Sequence, residues 1–236
     1  MWTVAGACQR FRAVKSSKPS EHCGGCSGCE RSRRVRGRRP HEERDVSSAA
    51  DQAGSPAVSI VLPVHNGARY LAGSIDSCRA QSFADWELIV VDDASTDATP
   101  EIVQQAVAKD PRIRSIRNET NLKLPASLNA GFALARGRFF SWTSDDNRYL
   151  PGAIEAMVRA LESSPEIAIV YCDYEIIDAR GAVVRAERLE GPEHLAYGNM
   201  IRACFLYRRE VHEALGGYRT DLYTAEDYDF WLRASL

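Results

Sequence analysis

The sequence predicts an α/β domain built on a doubly wound, mostly parallel sheet. Short apolar runs rich in β-branched residues alternate with amphipathic segments between residues 57 and 164, and the links between them are short. Strands that alternate with helices form parallel sheets, because a crossover helix returns the chain to the starting edge. A later hairpin pattern predicts a small antiparallel addition in the C-terminal half.

Four apolar runs are expected to be strands, and each is followed by an expected helix. The strands cover residues 57–63, 86–93, 112–118 and 138–144, and the helices 66–82, 95–110, 125–137 and 151–164. Asn66 suits a helix N-cap, Pro100 suits a first helical turn, and Gly137 suits a helix C-terminus.

The pattern loosens after Ser164. Two further strands are predicted in "EIAIVYCDYEIID" and "RACFLYRR", with a hairpin turn at "DARGAVV". Two helices are predicted in "REVHEALGGY" and "TAEDYDFWLRASL". The cysteines of the body lie in apolar segments, where we expect buried thiols: Cys78, Cys172 and Cys204.

Residues 1–55 have a different composition from the rest of the chain. The first fifty residues carry eleven Lys and Arg against five Asp and Glu, whereas the remainder is acidic. Cys23, Cys26 and Cys29 have a spacing that zinc or an iron–sulfur cluster accepts, but no second ligand cluster follows. We therefore predict a disordered, basic, Cys-containing tail at 1–55 and a folded domain at 56–236.

The sequence contains no pattern typical of a membrane-spanning helix or a signal peptide. No apolar run approaches about 18 residues, and the N-terminus lacks the apolar stretch of a signal peptide. The arginine-rich run at 31–39 has no interleaved aromatic residues, so no nucleic-acid partner is predicted. We expect a cytoplasmic protein, with peripheral association at the inner face of the membrane left open.

Polar residues follow three of the predicted strands. The pairs are His65–Asn66, Asp92–Asp93 and Asp145–Asp146. In parallel sheets, ligands bind outside the carboxyl ends of the strands, so these pairs predict one site at one rim. Paired carboxylates hold a divalent cation or act as acid and base. No glycine-rich phosphate loop is present, so a bound diphosphate would be neutralised by Mg²⁺ or Mn²⁺.

Five segments in order resemble family 2 glycosyltransferases, whose domain has the Rossmann-like GT-A fold. They are "VSIVLPVHNGARYL", "ELIVVDDASTDAT", "NLKLPASLNAGFALARG", "SWTSDDNRYLPGAI" and "LGGYRTDLYTAEDYDFWLR". The resemblance implies transfer of a sugar from a nucleotide-diphosphate sugar, usually a UDP-sugar, to an acceptor hydroxyl with inversion. It also implies a role in glycan or cell-envelope polysaccharide biosynthesis.

The resemblance further implies roles for individual residues. Asp227 would be the general base, and Asp146 the principal metal ligand. The expected contacts to the nucleotide-sugar are Pro63, His65, Asp92, Asp93, Lys123 and Asp145.

Two departures from the family pattern and two alternatives accompany this prediction. Thr143 stands near the position where many relatives carry a further Asp, which we interpret as a variant site, and we expect a domain truncated at Leu236. The alternatives are a nucleotidyltransferase, for which only Gly67 and Arg69 resemble a phosphate loop, and an inactive sugar-nucleotide-binding fragment. The sequence specifies neither the acceptor (glycan, lipid-linked or protein) nor the oligomeric state.

Overall fold

A computed structural model describes residues 3–15 and 54–236 of the 236-residue chain. Its strands are β1 (Thr3–Lys15), β2 (Val58–Val64), β3 (Trp86–Asp92), β4 (Ile113–Arg117), β5 (Phe139–Trp142), β6 (Arg148–Tyr149), β7 (Ile167–Ile177), β8 (Val183–Glu187) and β9 (Phe205–Arg208). Its helices are α1 (Leu71–Arg79), α2 (Thr99–Lys109), α3 (Lys123–Phe132), α4 (Ala153–Ser163), α5 (Arg209–Leu215) and α6 (Glu226–Ser235), with a 3₁₀-helix at Pro192–Tyr197.

All the described strands belong to one mixed sheet. The order is β4-β3-β2-β5-β9-β7-β1-β6, and β8 pairs with residues 174–177 of β7, beyond the stretch of β7 that pairs with β9. Strands β2 to β5 are parallel, whereas β9, β7 and β8 are antiparallel to their neighbours. The predicted mostly parallel sheet with an antiparallel addition in the C-terminal half is therefore confirmed.

Two apolar layers cover the two faces of this sheet. One contains side chains of α1, α2 and α4, and the other contains side chains of α3, α5 and α6. Every residue of β2 and β3 is buried, because helices cover both of their faces. Burial on both faces explains why these strands are continuous apolar runs in the sequence. Helices on both faces of a parallel sheet are also what defines a doubly wound fold. Cys78, Cys172 and Cys204 are buried, as predicted.

The N-terminal segment corrects one sequence prediction. Residues 3–15, assigned to a disordered tail, form β1, which pairs antiparallel with β7 and parallel with β6. The backbone N–H and C=O groups along β7 would otherwise lack partners on that side, and β1 supplies them. Val14 is buried in the second apolar layer. The cysteine motif and arginine run at residues 23–39 lie outside the described residues.

Two helix boundaries also differ from the prediction. Helix α1 begins at Leu71 and not at Asn66, whose backbone has φ 57° and whose Oδ1 accepts the N–H of Thr96. Helix α3 ends at Phe132 and not at Gly137, because Gly137 lies against β2, where a Cβ atom would come within 2.6 Å of the Ser59 nitrogen. Pro100 lies in the first turn of α2, as predicted. None of the described helices has the length and apolar character needed to cross a membrane.

Candidate functional site

The carboxyl ends of β2, β3 and β5 meet at one rim, because β2 lies between the other two strands. The Asp93 N–H, just after β3, donates to the Val64 carbonyl at the end of β2 (2.8 Å). The Asn66 N–H donates to Ser95 Oγ (2.9 Å), which joins the two following loops. On the other side, a Cβ atom on Gly67 would overlap the Asp145 carboxylate. The three predicted polar pairs therefore lie in neighbouring loops.

Backbone strain is concentrated at this rim. Among the described residues, the non-glycine residues with positive φ are Asn66, Ala94, Lys123 and Thr224. Asn66 and Ala94 lie in loops of this rim, Lys123 begins α3, and Thr224 follows Tyr223, which lines the same cleft as Lys123. Such conformations are costly and persist where surrounding contacts hold them, most often at functional sites.

Asp93 organises the loop that leads into α3. Its carboxylate accepts hydrogen bonds from Asn118 Nδ2 (2.8 Å) and from the N–H groups of Leu122 (2.8 Å) and Lys123 (2.9 Å). The Asp93 backbone carbonyl also accepts a bond from His65 Nδ1 (2.7 Å), since a carbonyl oxygen cannot donate. Asp93 thus joins the end of β3 to the start of α3 through its carboxylate and to the loop after β2 through its carbonyl.

A cleft of about 240 Å³ lies beside Asp93. Four of the residues predicted to contact the nucleotide-sugar line it together: Pro63, His65, Asp93 and Lys123. Much of the remaining wall consists of residues that the sequence pattern did not indicate: Asn121, Leu124, Ser127 and Tyr223. The first three lie in or beside α3, in the segment "NLKLPASLNAGFALARG" that carried the family resemblance. The polar residues of that segment were the signal that could have indicated this wall.

Asp92 is separated from this cleft. It is 3% exposed, its Oδ1 accepts the N–H of Ser95 (2.9 Å), and its other oxygen pairs with Arg117 on β4. Successive residues of a strand point to opposite faces, which is why adjacent Asp92 and Asp93 have different partners. Asp92 lines neither of the cavities at this rim.

Asp145 and Asp146 form an acidic pair in the irregular segment after β5. Among the described residues, no side chain donates a hydrogen bond to either carboxylate. Burial, followed by the charge of Asp146, raises the pKa of Asp145 to about 6. Burial also raises the pKa of Asp146 above the usual value for an Asp side chain. Two desolvated like charges are therefore held together without a cationic partner in this part of the chain.

These two carboxylates fit a divalent cation better than they fit a purely structural role. Mg²⁺ and Mn²⁺ prefer carboxylate oxygens, and Mg²⁺ usually takes one or two of them and completes its ligands with phosphate and water. The described residues contain no group of three or more His, Cys, Asp and Glu that would form an all-protein metal cage. A cation bound here would need ligands from a substrate, which suits a diphosphate.

Asp227 lies in a second and larger cavity of about 610 Å³. It is at the start of α6, and its Oδ2 accepts a hydrogen bond from Asn199 Nδ2 (2.8 Å). Ser144 lines the same cavity, so the segment carrying the acidic pair reaches it. Trp142 also lines it, together with Asn199 and Arg202. The latter two lie in the irregular stretch before β9, and no site role was predicted for either from the sequence.

Comparisons with known proteins agree with this architecture. The family model described as "Glycosyl transferase family 2" matches residues 59–216. The uncharacterized glycosyltransferase RP339 of Rickettsia prowazekii is 33% identical over 190 residues, which cover 76% of this chain and 58% of that protein. The chain thus spans less than two thirds of the length of this relative.

Two solved structures share the fold. The Pyrobaculum calidifontis mannosyltransferase PcManGT, in complex with GDP-Man and Mn²⁺, has a TM-score of 0.58 and 20% identity, covering 75% of this chain and 51% of that one. S. aureus TarS 1–349, in complex with UDP-GlcNAc, has a TM-score of 0.61 and 19% identity, covering 75% and 53%. With its mixed sheet and three-strand rim, this GT-A domain belongs to glycosyl transferase family 2.

Proposed function

We propose that this domain transfers a sugar from a nucleoside-diphosphate sugar, first of all a UDP-sugar, to an acceptor hydroxyl with inversion at the anomeric carbon. The product would be a glycan or a cell-envelope polysaccharide. One observation carries the proposal: a cleft, an acidic pair without a side-chain donor from the described residues, and a second cavity containing Asp227 occur along one rim. A nucleoside, a diphosphate with its cation, and an acceptor would occupy these three environments.

The cleft is assigned to the nucleoside. His65 and Lys123 are held against it by the Asp93 backbone carbonyl and carboxylate, so its walls are formed before a ligand binds. Pro63 adds a rigid apolar surface. Asp92 would act at a distance, since its bonds to Ser95 and Arg117 position the loop after β3.

The acidic pair is assigned to the metal and the diphosphate. Asp146 would be the principal ligand of Mg²⁺ or Mn²⁺, and Asp145 would share the ion or bind the ribose. The bound cation would neutralise negative charge on the departing diphosphate. The GDP-Man and Mn²⁺ complex of PcManGT supports this choice of cofactor.

Asp227 is assigned to the acceptor hydroxyl. Inversion by a single displacement requires a base on the side of the sugar opposite the leaving diphosphate. Asp227 belongs to α6 and lies in a different cavity from the nucleoside cleft, which suits that role. The Asn199 amide holds one carboxylate oxygen, so Asn199 would be a positioning residue.

The decisive experiment compares Asp227→Asn with the native protein. UDP release from UDP-sugars with Mn²⁺ should fall by at least about a hundredfold, whereas the Kd for the donor, measured by calorimetry, should stay within a factor of about two. Asp76→Asn, an exposed change on α1, is the matched control and should leave both values unchanged. Release of pyrophosphate would instead indicate a nucleotidyltransferase. Donor binding without turnover in the native chain would indicate a non-catalytic binding domain.

A further inference from the structure

The cavity that contains Asp227 has a cationic wall. Arg185 on β8 and Arg202 in the segment before β9 both line it, close to Tyr174 on β7. The rest of its surface is largely apolar and aromatic, with contributions from Trp142, Ile176, Val184 and Phe205. The cavity therefore has a carboxylate, an apolar lining and two guanidinium groups.

The two arginines differ in whether a carboxylate of the protein pairs with them. Arg185 pairs with Glu187 on the same strand. Arg202, by contrast, forms no ion pair with any residue in the described ranges, and its side chain is exposed. Both positive charges reach Tyr174, where each lowers the pKa of the phenol against the larger raising effect of burial. Arg202 is thus a cation beside a phenol in a cavity wall, without an anionic partner among residues 3–15 and 54–236.

A guanidinium group placed in this way suits an oxyanion. Its planar N–H groups match the two oxygens of a carboxylate or a phosphate, and an aromatic lining weakens competition from water. The donor diphosphate is assigned to the acidic pair, which lies between Ser144 and Asn147 of this lining. The two arginines lie on other elements, β8 and the segment before β9, and neither lines the nucleoside cleft, so a second anion is the better candidate for them. Asp227 would repel an anion near itself, so the anion belongs at the arginine end of the cavity.

We propose that the acceptor carries an oxyanion, a phosphate or a carboxylate, which binds Arg202 with help from Arg185 while the acceptor hydroxyl reaches Asp227. This inference rests on the proposed function for the assignment of the cavity to the acceptor. It defines the substrate class: a phosphorylated or uronic-acid glycan, as opposed to a neutral one. The apolar and aromatic lining would contact the faces of the sugar rings.

The test measures binding of three probes to the full chain by calorimetry, in the presence of UDP and Mn²⁺. The probes are glucose, glucuronic acid and glucose 6-phosphate, so the last two distinguish a carboxylate from a phosphate. We expect at least one anionic probe to bind about tenfold more tightly than glucose, as one charge-assisted contact provides. Arg202→Gln should remove that difference, and Arg180→Gln, which removes an exposed charge in the β7–β8 turn, should preserve it.

Three outcomes would overturn the proposal. One is equal affinity for all three probes, including affinity too weak to measure. Another is an equal loss in Arg180→Gln, which would indicate a general charge effect. The third is a loss of UDP affinity in Arg202→Gln as large as the loss of anion affinity, which would assign Arg202 to the donor. A separate titration of UDP-sugar with Mn²⁺ tests the proposed function. Donor binding without a preference for an anionic probe would overturn only the acceptor proposal, whereas absent donor binding would overturn the proposed function.

Discussion

The two acidic pairs at the rim look alike in the sequence but have opposite environments. Asp92 and Asp93 are buried and accept hydrogen bonds from surrounding loops and from Arg117. Asp145 and Asp146 receive no side-chain donor from the described part of the chain, and burial raises the pKa of both. The first pair builds the site, whereas the second has unused capacity for a ligand. The difference is one of partners and not of residue type.

The largest effect is expected from Asp93→Ala. The change removes the charged acceptor shared by Asn118 Nδ2 and the N–H groups of Leu122 and Lys123. Asn118 and Lys123 keep longer bonds to Ser127 and Asn121, but the three bonds to the carboxylate are lost together, and bonds to a charged group are the more stabilising ones. The free energy of unfolding in urea should fall by about 3 kcal/mol. A loss of donor binding with unchanged stability would contradict the structural role, because it would show that Asp93 acts on the ligand alone.

Asp146→Asn is expected to have the opposite profile. The Kd for UDP in the presence of Mn²⁺ should rise at least about tenfold, because a metal ligand has lost its charge. The free energy of unfolding should not fall, since the change removes repulsion with Asp145. Calorimetry with and without Mn²⁺ measures the first effect, and urea unfolding measures the second. Destabilisation as large as that of Asp93→Ala would show that Asp146, like Asp93, stabilises the fold.

Asp92→Asn should have a smaller effect on stability. The amide oxygen can still accept the Ser95 N–H, so the main loss is the charge pairing with Arg117, whose side chain is 49% exposed. We expect a loss of about 1 kcal/mol in the free energy of unfolding, because solvent screens such a pair. A much weaker donor affinity at unchanged stability would instead show that Asp92 contacts the nucleotide-sugar directly.

His212 lies outside the rim, and its surroundings also determine its charge. Its substitution should give the smallest effect on stability. Burial, supported by Arg209 and Arg233 against Glu213, lowers its pKa to about 4. Its neutral form is therefore favoured by folding, and that contribution is complete above about pH 6.5 and is lost as the pH falls towards 4. In urea unfolding at pH 7 and pH 4.5, His212→Gln should lose less stability than the native chain over this interval. An identical loss would show that other groups cause the acid sensitivity.

Much of the rim could be predicted from the sequence, because it depends on local features. The apolar runs of β2, β3 and β5 and the polar residues that follow them are adjacent in the chain. The cleft that joins Pro63, His65, Asp93 and Lys123 was also accessible, through the ordered family motifs. The strand at residues 3–15 was not, because its partner in β7 lies more than 150 residues away and its own composition resembles that of a tail.

The sequence by itself determined the parallel sheet, the rim and the identity of the acidic residues, because hydrophobic periodicity and strand ends are properties of neighbouring residues. Only the tertiary structure decided which carboxylates have protein partners. The donors to Asp93 come from residues 118–123, and the donor to Asp227 comes from Asn199. It also brought Arg185 and Arg202 into one cavity with Asp227. Hydrogen bonds and charge interactions depend on distances between atoms, and those distances exist only once separate segments have packed together.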